Sequence, residues 1–382
     1  MSSHLIPFST RSGVVPDYLL GRERAIEAVK SNLDSPLTDE NGNLLFLGLR
    51  GIGKTVMLTE AGRLAKERGW LVINSYLTED GLIRRIHQSV NAIERVKHKS
   101  HKSIGVNIPG VNFSATQDSE IPELNLSDRL RQLLKTTRAP GILLTVDEVH
   151  STAGRAQEEL REYGNEIQLA HREGLPVMSI TAGLPGGISS LLKDTNEYNK
   201  RTGATFLRRA AKQYLDAIDD EEIWNAYAQA AAVTGKLVAP DILDLLTDAA
   251  KGYPYLFQLI GQRVWHTNSA VIDIKTAKAG INSAIRRLGS AVLDTSLADL
   301  SALDKSFLLA MAQDDGASKM QDIAARMKIS PSQASNYKTR LIEAEMVVGE
   351  RGFASFTIPY MREHLREYHA STIREATPRR AF

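Results

Sequence analysis

Eight residues near the start of the chain have the types and spacing of a phosphate-binding loop. They fit the pattern G-x-x-x-x-G-K-[ST] and are Gly48-Leu49-Arg50-Gly51-Ile52-Gly53-Lys54-Thr55. Glycine lets the backbone curl so that successive N–H groups face a phosphate, and a helix that begins near Lys54 presents its positive end at the same place. Lys54 would reach the β- and γ-phosphates of a nucleotide, and Thr55 would bind Mg²⁺.

A pair of acidic residues follows an apolar run later in the chain. Residues 141–146 (G-I-L-L-T-V) lead into Asp147-Glu148, which is the Walker B pattern. A strand covered by helices on both faces is apolar throughout, and its carboxyl end opens onto the ligand crevice. We expect Asp147 to hold the Mg²⁺ shell and Glu148 to polarise the water that attacks the γ-phosphate. The alternative is a strand that simply ends at an acidic surface turn.

A third apolar run, residues 177–180, is followed by Thr181 and then by A-G-L-P-G-G. Nucleotide-hydrolysing machines with such motifs place a small polar side chain here, between the two Walker strands, to sense the γ-phosphate. Thr181 would equally serve as an ordinary strand terminator, so both interpretations stay open.

These side chains meet only if a parallel sheet brings them together. The pattern predicts a buried strand over Asn43–Leu47, a helix from Thr55 to Lys66 that ends at Gly69, and a next strand over Trp70–Asn74. Such a β-loop-α-β unit predicts an α/β fold with a parallel-sheet P-loop core. The alternative is a glycine turn that binds no ligand.

Composition excludes several other chemistries. The chain has 382 residues, which suits two or three domains, and its net charge of +2 with 24% charged residues implies no general attraction to nucleic acid or to a membrane. It contains no cysteine, which excludes disulfides, thiolate zinc sites, iron–sulfur clusters and cysteine nucleophiles. The nine histidines lack metal-ligand spacing, and neither an export signal nor a membrane span is recognisable. We expect a cytoplasmic protein with no metal beyond Mg²⁺.

The pattern changes three times along the rest of the chain. A basic run and a Pro-Gly turn predict a hairpin inserted into the core, and helical patterns at Asp219–Ala232, Pro240–Ala250 and up to Trp265 predict a lid. The predicted division is a core over 1–215 with an insertion at 97–120, a helical lid over 216–292, a third domain over 293–370 and a flexible tail over 371–382.

The third domain is predicted to contain three helices followed by a hairpin. The helices are Leu300–Ala312, Met320–Met327 and Asn336–Glu345, the last after a turn with a helix cap at 330–333, and the hairpin joins 347–349 to 353–358. This order is the winged-helix plan. Residues expected to face double-stranded DNA, of types that read grooves and contact phosphates, are Gln333, Ser335, Asn336, Lys338, Arg340 and Arg351. Winged helices also dock proteins, so a protein partner stays open.

With these motifs placed, residues 15 to 370 resemble the AAA+ ATPases of the origin-recognition and initiator-loader type, and their bacterial relatives described as archaeal-type or STAND-like ATPases. The resemblance rests on Leu20-Gly21-Arg22-Glu23, which is similar to the h-G-R-E box of that family, on both Walker motifs and on the winged helix. It implies ATP and Mg²⁺ as cofactors, an AAA+ core with a lid, and a homo-oligomer or a protein partner.

The resemblance also implies roles for single residues. Gly21 and Arg22 would lie near the adenine, although a helix start alone would explain them. Arg208 and Arg209 lie where relatives carry an arginine that reaches a neighbour's nucleotide. The expected cofactor-binding residues are Gly21, Arg22, Gly48, Arg50, Gly51, Ile52, Gly53, Lys54, Thr55, Val56 and Pro254, with Thr55 and Asp147 at the metal. The expected catalytic residues are Lys54, Glu148, Thr181, Arg208 and Arg209.

One stretch departs from the initiators. They carry G-D-x-R at the lid helix, whereas this chain has Gly252-Tyr253-Pro254, which resembles the G-x-P of STAND switches. Coupling between nucleotide and lid would then run through backbone and packing, and hydrolysis is expected to be slow.

Two other functions fit the sequence less well. Asp147-Glu148-Val149-His150 also spells a helicase D-E-x-H signature, but the helical region after residue 215 lacks a second motor lobe. A small-molecule kinase would have no use for a winged helix. The sequence favours an ATP-dependent switch that positions a winged helix on DNA, with a signalling or assembly switch that docks a protein as the alternative.

Overall fold

The computed structural model describes residues 6–11, 13–36, 42–77, 81–100, 125–149, 154–186, 188, 205–349 and 351–368. The predicted tail lies outside these residues, as does the predicted insertion from residue 101 onward. Residues 97–100 belong to a helix, Leu82–Ser100, so the prediction that the insertion begins at residue 97 is wrong.

The chain forms two compact units. The sheet unit comprises Arg22–Gly48 and Lys54–Leu215, and the C-terminal unit comprises Met1–Gly21, Leu49–Gly53 and Asp216–Phe382. The middle of the phosphate-loop motif therefore groups with the C-terminal unit, although both of its ends belong to the sheet unit. The predicted division into core, lid and third domain stays a prediction.

The sheet unit is built on five parallel strands in the order β2-β3-β4-β1-β5. The central strands β1, β3 and β4 are buried almost throughout, as expected for strands covered by helices on both faces, whereas β2 and β5 at the edges alternate in exposure. The strands are β1 (Asn43–Leu47), β2 (Leu71–Tyr76), β3 (Ile142–Asp147), β4 (Val177–Gly183) and β5 (Ala211–Tyr214). The predicted α/β fold with a parallel sheet is confirmed.

Six described helices accompany this sheet. Their apolar side chains form one core with the strands, in which Leu82, Leu130 and Ile167 are fully buried. The helices are α1 (Glu23–Asp34), α2 (Lys54–Glu67), α3 (Leu82–Ser100), α4 (Leu126–Thr137), α5 (Gly154–Arg172) and α6 (Thr205–Arg209). Helix α2 begins at the lysine of the loop motif, one residue before the predicted start.

The first helices of the C-terminal unit pack around an aromatic cluster that also takes in Phe8 from the amino-terminal segment. Phe8 lies 5.0 Å from Trp265 and 5.6 Å from Tyr227, measured between ring centroids. A short parallel pair, Leu237–Val238 (β6) with Val271–Ile272 (β7), joins the loops. The helices are α7 (Asp220–Thr234), α8 (Pro240–Ala250), α9 (Pro254–Trp265) and α10 (Ile274–Leu288), followed by a π-helical turn at Gly289–Leu293 and by α11 (Asp294–Ala298).

The end of the C-terminal unit contains three helices and a small antiparallel sheet. The central strand β10 (Phe353–Phe356) pairs with β8 (Ser318–Lys319) on one side and with β9 (Val347–Val348) on the other. The helices are α12 (Ala302–Met311), α13 (Met320–Met327) and α14 (Pro331–Glu343), and α15 (Met361–Tyr368) follows the sheet.

The predicted helix cap at residues 330–333 is confirmed, but helix α14 already begins at Pro331, five residues before Asn336, so the predicted turn after the cap is wrong. Ser330 caps the helix: its side chain accepts from the N–H of Gln333, and the Gln333 side chain accepts from the N–H of Ser330. This reciprocal pair satisfies two backbone donors at the helix start, and Pro331 fits the first helical position.

Candidate functional site

The phosphate loop has the backbone that its glycines permit. Gly51 and Gly53 have φ values of +72° and +100°, a region that side chains with a Cβ rarely adopt. A Cβ placed on Gly53 would meet nothing within 4 Å, so this glycine serves conformation and not packing. Within the loop, Ile52 is buried and its N–H donates to the carbonyl of Leu49 over 3.3 Å.

The lysine and the threonine of the motif begin α2 and have polar partners in the sheet unit. The ammonium of Lys54 donates to the carbonyl of Gly48, 2.6 Å away. The hydroxyl of Thr55 donates to a carboxylate oxygen of Asp147 over 2.7 Å, although 92 residues separate the two in sequence. The fold thus brings the two predicted metal ligands together, and an alcohol with a carboxylate is a hard oxygen pair that suits Mg²⁺.

Glu148 lies directly after β3 in a left-handed conformation, with φ of +58°. Its side chain is exposed, and its backbone N–H donates to the other carboxylate oxygen of Asp147 over 2.8 Å. Left-handed backbone is unfavourable for a residue with a Cβ, and such strain is concentrated at functional sites. The acidic pair therefore divides by environment: Asp147 is held by two donors, while Glu148 projects into solvent.

The turn after the acidic pair lies against the end of β4. The N–H of Val149 donates to the carbonyl of Ala182 over 2.9 Å, and a Cβ on Gly183 would overlap the carbonyl oxygen of Val149. Glycine is therefore required at 183 for this close approach. The sequence has a glycine-rich stretch that begins at the end of β4, but it carries no signal for the contact of Gly183 with the acidic turn.

Thr181 lies inside β4 and does not terminate it, because the strand continues to Gly183. Its neighbours across the sheet are Leu45 of β1 and Val146 of β3, so it stands between the strand before the phosphate loop and the strand before the acidic pair. The side chain is 1% exposed, and its hydroxyl is 3.5 Å from the carbonyl of Leu44. The interpretation as a strand terminator is wrong.

The structure separates the remaining predicted site residues by exposure. Arg208 and Arg209 are exposed on the short helix α6. Gly21 has φ of +63° and precedes the buried Arg22, the amino-terminal cap of α1. Val56 in the first turn of α2 and Pro254 at the first position of α9 are partly buried.

One residue that contacts the loop was not predicted. The hydroxyl of Tyr253, the residue between the glycine and the proline of the G-x-P stretch, donates to the carbonyl of Arg50. No local sequence pattern predicts this contact, because 203 residues separate Tyr253 from Arg50.

The residues predicted to face DNA differ in their contacts. Ser335, Asn336 and Arg351 are exposed. Gln333 takes part in the cap of α14, Lys338 donates to the carbonyl of Phe353 over 2.6 Å, and Arg340 forms an ion pair with Asp304 of α12.

The comparisons with known structures bear on the fold. The chain is similar to the Walker-type ATPase paby2304 of Pyrococcus abyssi, with a TM-score of 0.65 at 15% sequence identity over 92% of this chain and 96% of that one. The fold is that of an AAA+ P-loop ATPase. More distant similarities are to the RuvB Holliday junction branch migration motor of Thermotoga maritima (TM-score 0.45, 13% identity, 93% and 98% covered) and to domain III of the replication initiation protein DnaA of the same organism (0.41, 13%, 71% and 94%).

Two family models match parts of the chain. Residues 18–175 match an AAA ATPase domain, and residues 290–365 match a domain of unknown function (DUF8462). No curated protein shows significant sequence similarity to the chain. Among the described residues, no helix combines the length and the apolar character needed to cross a membrane.

Proposed function

We propose that this protein is an ATP-binding and slowly hydrolysing switch, whose nucleotide state controls the binding of double-stranded DNA by its C-terminal helices. The hydrogen bond between Thr55 and Asp147 is the observation that supports the nucleotide part most directly. It joins the end of the phosphate loop to the acidic pair across the sheet, where the two oxygen ligands of a magnesium ion would have to meet.

The residues of the sheet unit have distinct tasks in this proposal. Lys54 would exchange the Gly48 carbonyl for the β- and γ-phosphates of ATP, and Thr55 and Asp147 would hold Mg²⁺. The bound metal would neutralise charge on the phosphates. Glu148, exposed and directed away from the core, would accept a proton from the attacking water, and Thr181 would respond to the γ-phosphate from β4.

Isothermal titration with MgADP tests whether the phosphate loop binds nucleotide. The variant Lys54→Ala should bind MgADP about 10- to 100-fold more weakly, because hydrogen bonds to charged groups contribute about 1.5 to 3 kcal/mol. Lys66→Ala is a matched control, since Lys66 is exposed in the last turn of the same helix. Unchanged affinity in Lys54→Ala would refute nucleotide binding at this loop.

Hydrolysis is tested separately by phosphate release. Glu148→Gln keeps the shape of the side chain but removes its basicity, so turnover should fall at least 100-fold while MgADP affinity stays within about twofold. Glu158→Gln, an exposed exchange in α5, is the control. Parental turnover in Glu148→Gln would show that another group acts as the base.

The proposed binding of DNA rests on the arrangement of α12, α13 and α14 with the sheet β8-β10-β9, which we assign to the winged-helix type. The exposed residues Ser335, Asn336 and Arg351 would contact DNA directly. The resemblance to initiator-type ATPases supports this assignment.

A protein partner is the second candidate. Lys338 and Arg340 both have partners within the unit, which reduces the positive charge available for phosphate contacts. Salt separates the two candidates: binding driven by phosphate contacts weakens steeply as salt rises, whereas docking through an apolar face does not.

The exposed Arg208 and Arg209 support a homo-oligomer in which an arginine reaches a neighbouring nucleotide.

A further inference from the structure

Within the C-terminal unit, Tyr253 contacts the middle of the phosphate loop. It is the residue before α9, and its hydroxyl donates a hydrogen bond to the carbonyl oxygen of Arg50. The side chain is 3% exposed. Burial raises the pKa of Tyr253, with a smaller contribution from Tyr255, so the hydroxyl keeps its proton at neutral pH and remains a donor.

The ring of Tyr253 also lies directly on Gly51. A Cβ at Gly51 would overlap the hydroxyl oxygen of Tyr253 and would lie 2.7 Å from the ring carbon that bears it. Gly51 is thus required twice, once for its positive φ and once for this approach. The motif pattern itself leaves position 51 unrestricted, so the tyrosine accounts for a glycine that the pattern does not demand.

This contact fixes the direction of a backbone donor. The peptide group between Arg50 and Gly51 is planar and trans, so its C=O and N–H point in opposite directions. When Tyr253 binds the carbonyl from one side, the N–H of Gly51 must face the other side. Loops of this type bind phosphate through N–H groups that face inward, and their carbonyls face outward.

Hydrogen bonds fix the start of helix α9, next to Tyr253. The N–H of Phe257 donates to the carbonyl of Tyr253 over 2.9 Å, and the buried hydroxyl of Tyr227 donates to the carbonyl of Phe257 over 2.9 Å. Helix α9 also holds the amino-terminal segment, because the side-chain amide of Gln258 accepts from the N–H of Ser9 and donates to the carbonyl of Tyr18. A buried donor on such a support can define a loop conformation.

We propose that Tyr253 is a positioning residue for nucleotide binding: its hydroxyl orients the Arg50–Gly51 peptide so that the N–H of Gly51 faces the phosphate, and it links the loop to the start of α9. This inference rests on the proposed binding of nucleotide at the loop. It gives the G-x-P stretch a side-chain contact in place of the arginine that initiators carry.

The test compares Tyr253→Phe with Tyr255→Phe by isothermal titration with MgADP. Both exchanges remove one hydroxyl from the start of the same helix, but only the first removes the donor to Arg50. Tyr253→Phe should raise the dissociation constant roughly 3- to 10-fold, the range for one lost hydrogen bond, with the stoichiometry unchanged. Tyr255→Phe should bind like the wild type.

Each alternative result of this titration would overturn a specific part of the proposal. Equal dissociation constants for Tyr253→Phe and the wild type would overturn the inference while leaving nucleotide binding intact. A lowered stoichiometry with an unchanged dissociation constant would show a misfolded fraction, and hence a merely structural role. If the wild type bound no MgADP, the proposed function would fail as well.

Hydrogen exchange on the wild-type chain gives a second measurement that does not depend on a variant folding. Addition of MgADP should slow amide exchange both in the loop at residues 48–53 and at the start of α9, residues 253–257. Slowing confined to the loop would overturn the link between Tyr253 and α9.

Discussion

The acidic pair shows how one strand end can give two carboxylates different tasks. Asp147 accepts from the Thr55 hydroxyl and from the N–H of Glu148, so both of its oxygens have partners in the sheet unit. Glu148 follows in a left-handed conformation that points its side chain into solvent. A change at Asp147 should therefore disturb the local structure together with the proposed metal site, while a change at Glu148 should affect only the proposed hydrolysis.

The backbone strain at Glu148 leads to a prediction about stability. Glu148→Gly should leave the melting temperature nearly unchanged, because relief of the left-handed strain, about 1 kcal/mol, offsets the backbone entropy that glycine gains in the unfolded chain. Glu158→Gly, in the regular helix α5, should cost about 1 kcal/mol and lower the melting temperature by a few degrees. Thermal unfolding followed by circular dichroism measures both.

The comparison is informative because the two variants carry the same chemical change in the same unit. Equal losses of stability would mean that Glu148 is not strained. Glu148→Gly should also abolish ATP turnover. The two results together would show that Glu148 contributes to hydrolysis and not to stability.

At the scale of elements, the link between α12 and α13 makes stability depend on pH. Arg326 of α13 forms two hydrogen bonds to Asp314, which follows α12, and holds the pKa of that carboxyl at about 2. A depressed carboxyl pKa contributes stability that is complete above the unfolded value of 3.8 and is lost as the pH falls toward 2. Asp314→Asn should therefore lower stability by roughly 1 kcal/mol at pH 7 and by much less near pH 2.

The neighbouring Asp315 provides the control. Its side chain is 95% exposed in its pair with Arg366, so Asp315→Asn should change stability by only a few tenths of a kcal/mol at either pH. Urea unfolding of both variants at pH 7 and at low pH measures the difference. An Asp314→Asn penalty that stays constant with pH would show that the loss is not electrostatic.

Long apolar runs and loop motifs were predictable from the sequence because their signals are local. Strand β1 and helices α8 and α13 have the predicted bounds. Strand β5 was missed, since Ala211–Tyr214 is short, contains no strongly apolar residue and lies at the sheet edge. The helix cap before α14 was predicted, but the start of the helix was placed too late, because the residues that follow Ser330 were interpreted as a turn and not as the first helical turn.

The site was predictable as a set of residue types but not as a set of contacts. The pairing of Thr55 with Asp147 follows from the order of parallel strands, which the sequence patterns allow. The contact of Tyr253 with Arg50 depends on where a helix 203 residues later begins, and no local pattern encodes it. The same holds for Gly183, whose need for glycine comes from the carbonyl of Val149.

For the whole molecule, the proposal requires that a nucleotide at residues 48–55 alters what the C-terminal helices bind. The middle of the loop belongs to the same compact unit as α9 and α12 to α15. In that unit Arg50 also forms an ion pair of 2.9 Å with Asp299, the residue after α11. A change in the loop therefore has two direct contacts through which it can reach the helices that precede the proposed winged helix.

DNA binding measured with and without nucleotide tests this coupling. Fluorescence anisotropy with a labelled double-stranded oligonucleotide should give one dissociation constant for the MgADP complex and a different one for the MgATP complex. The MgATP complex is formed with the variant Glu148→Gln, which is expected not to hydrolyse ATP. Arg351→Ala should weaken binding roughly 3- to 10-fold and reduce the slope of log affinity against log salt by about 1, because one phosphate contact is lost.

The control for that slope is Lys275→Ala, which removes an equal charge from the exposed start of α10, outside the proposed DNA face. If both variants weaken binding alike, the attraction is a general effect of charge and α14 with its adjoining sheet is not the contact surface. If wild-type affinity is negligible in both nucleotide states, the proposed winged helix does not bind DNA. The charge balance of Lys338 and Arg340 then favours the protein-docking alternative, because their intramolecular partners leave this surface without the excess of positive charge that phosphate contacts need.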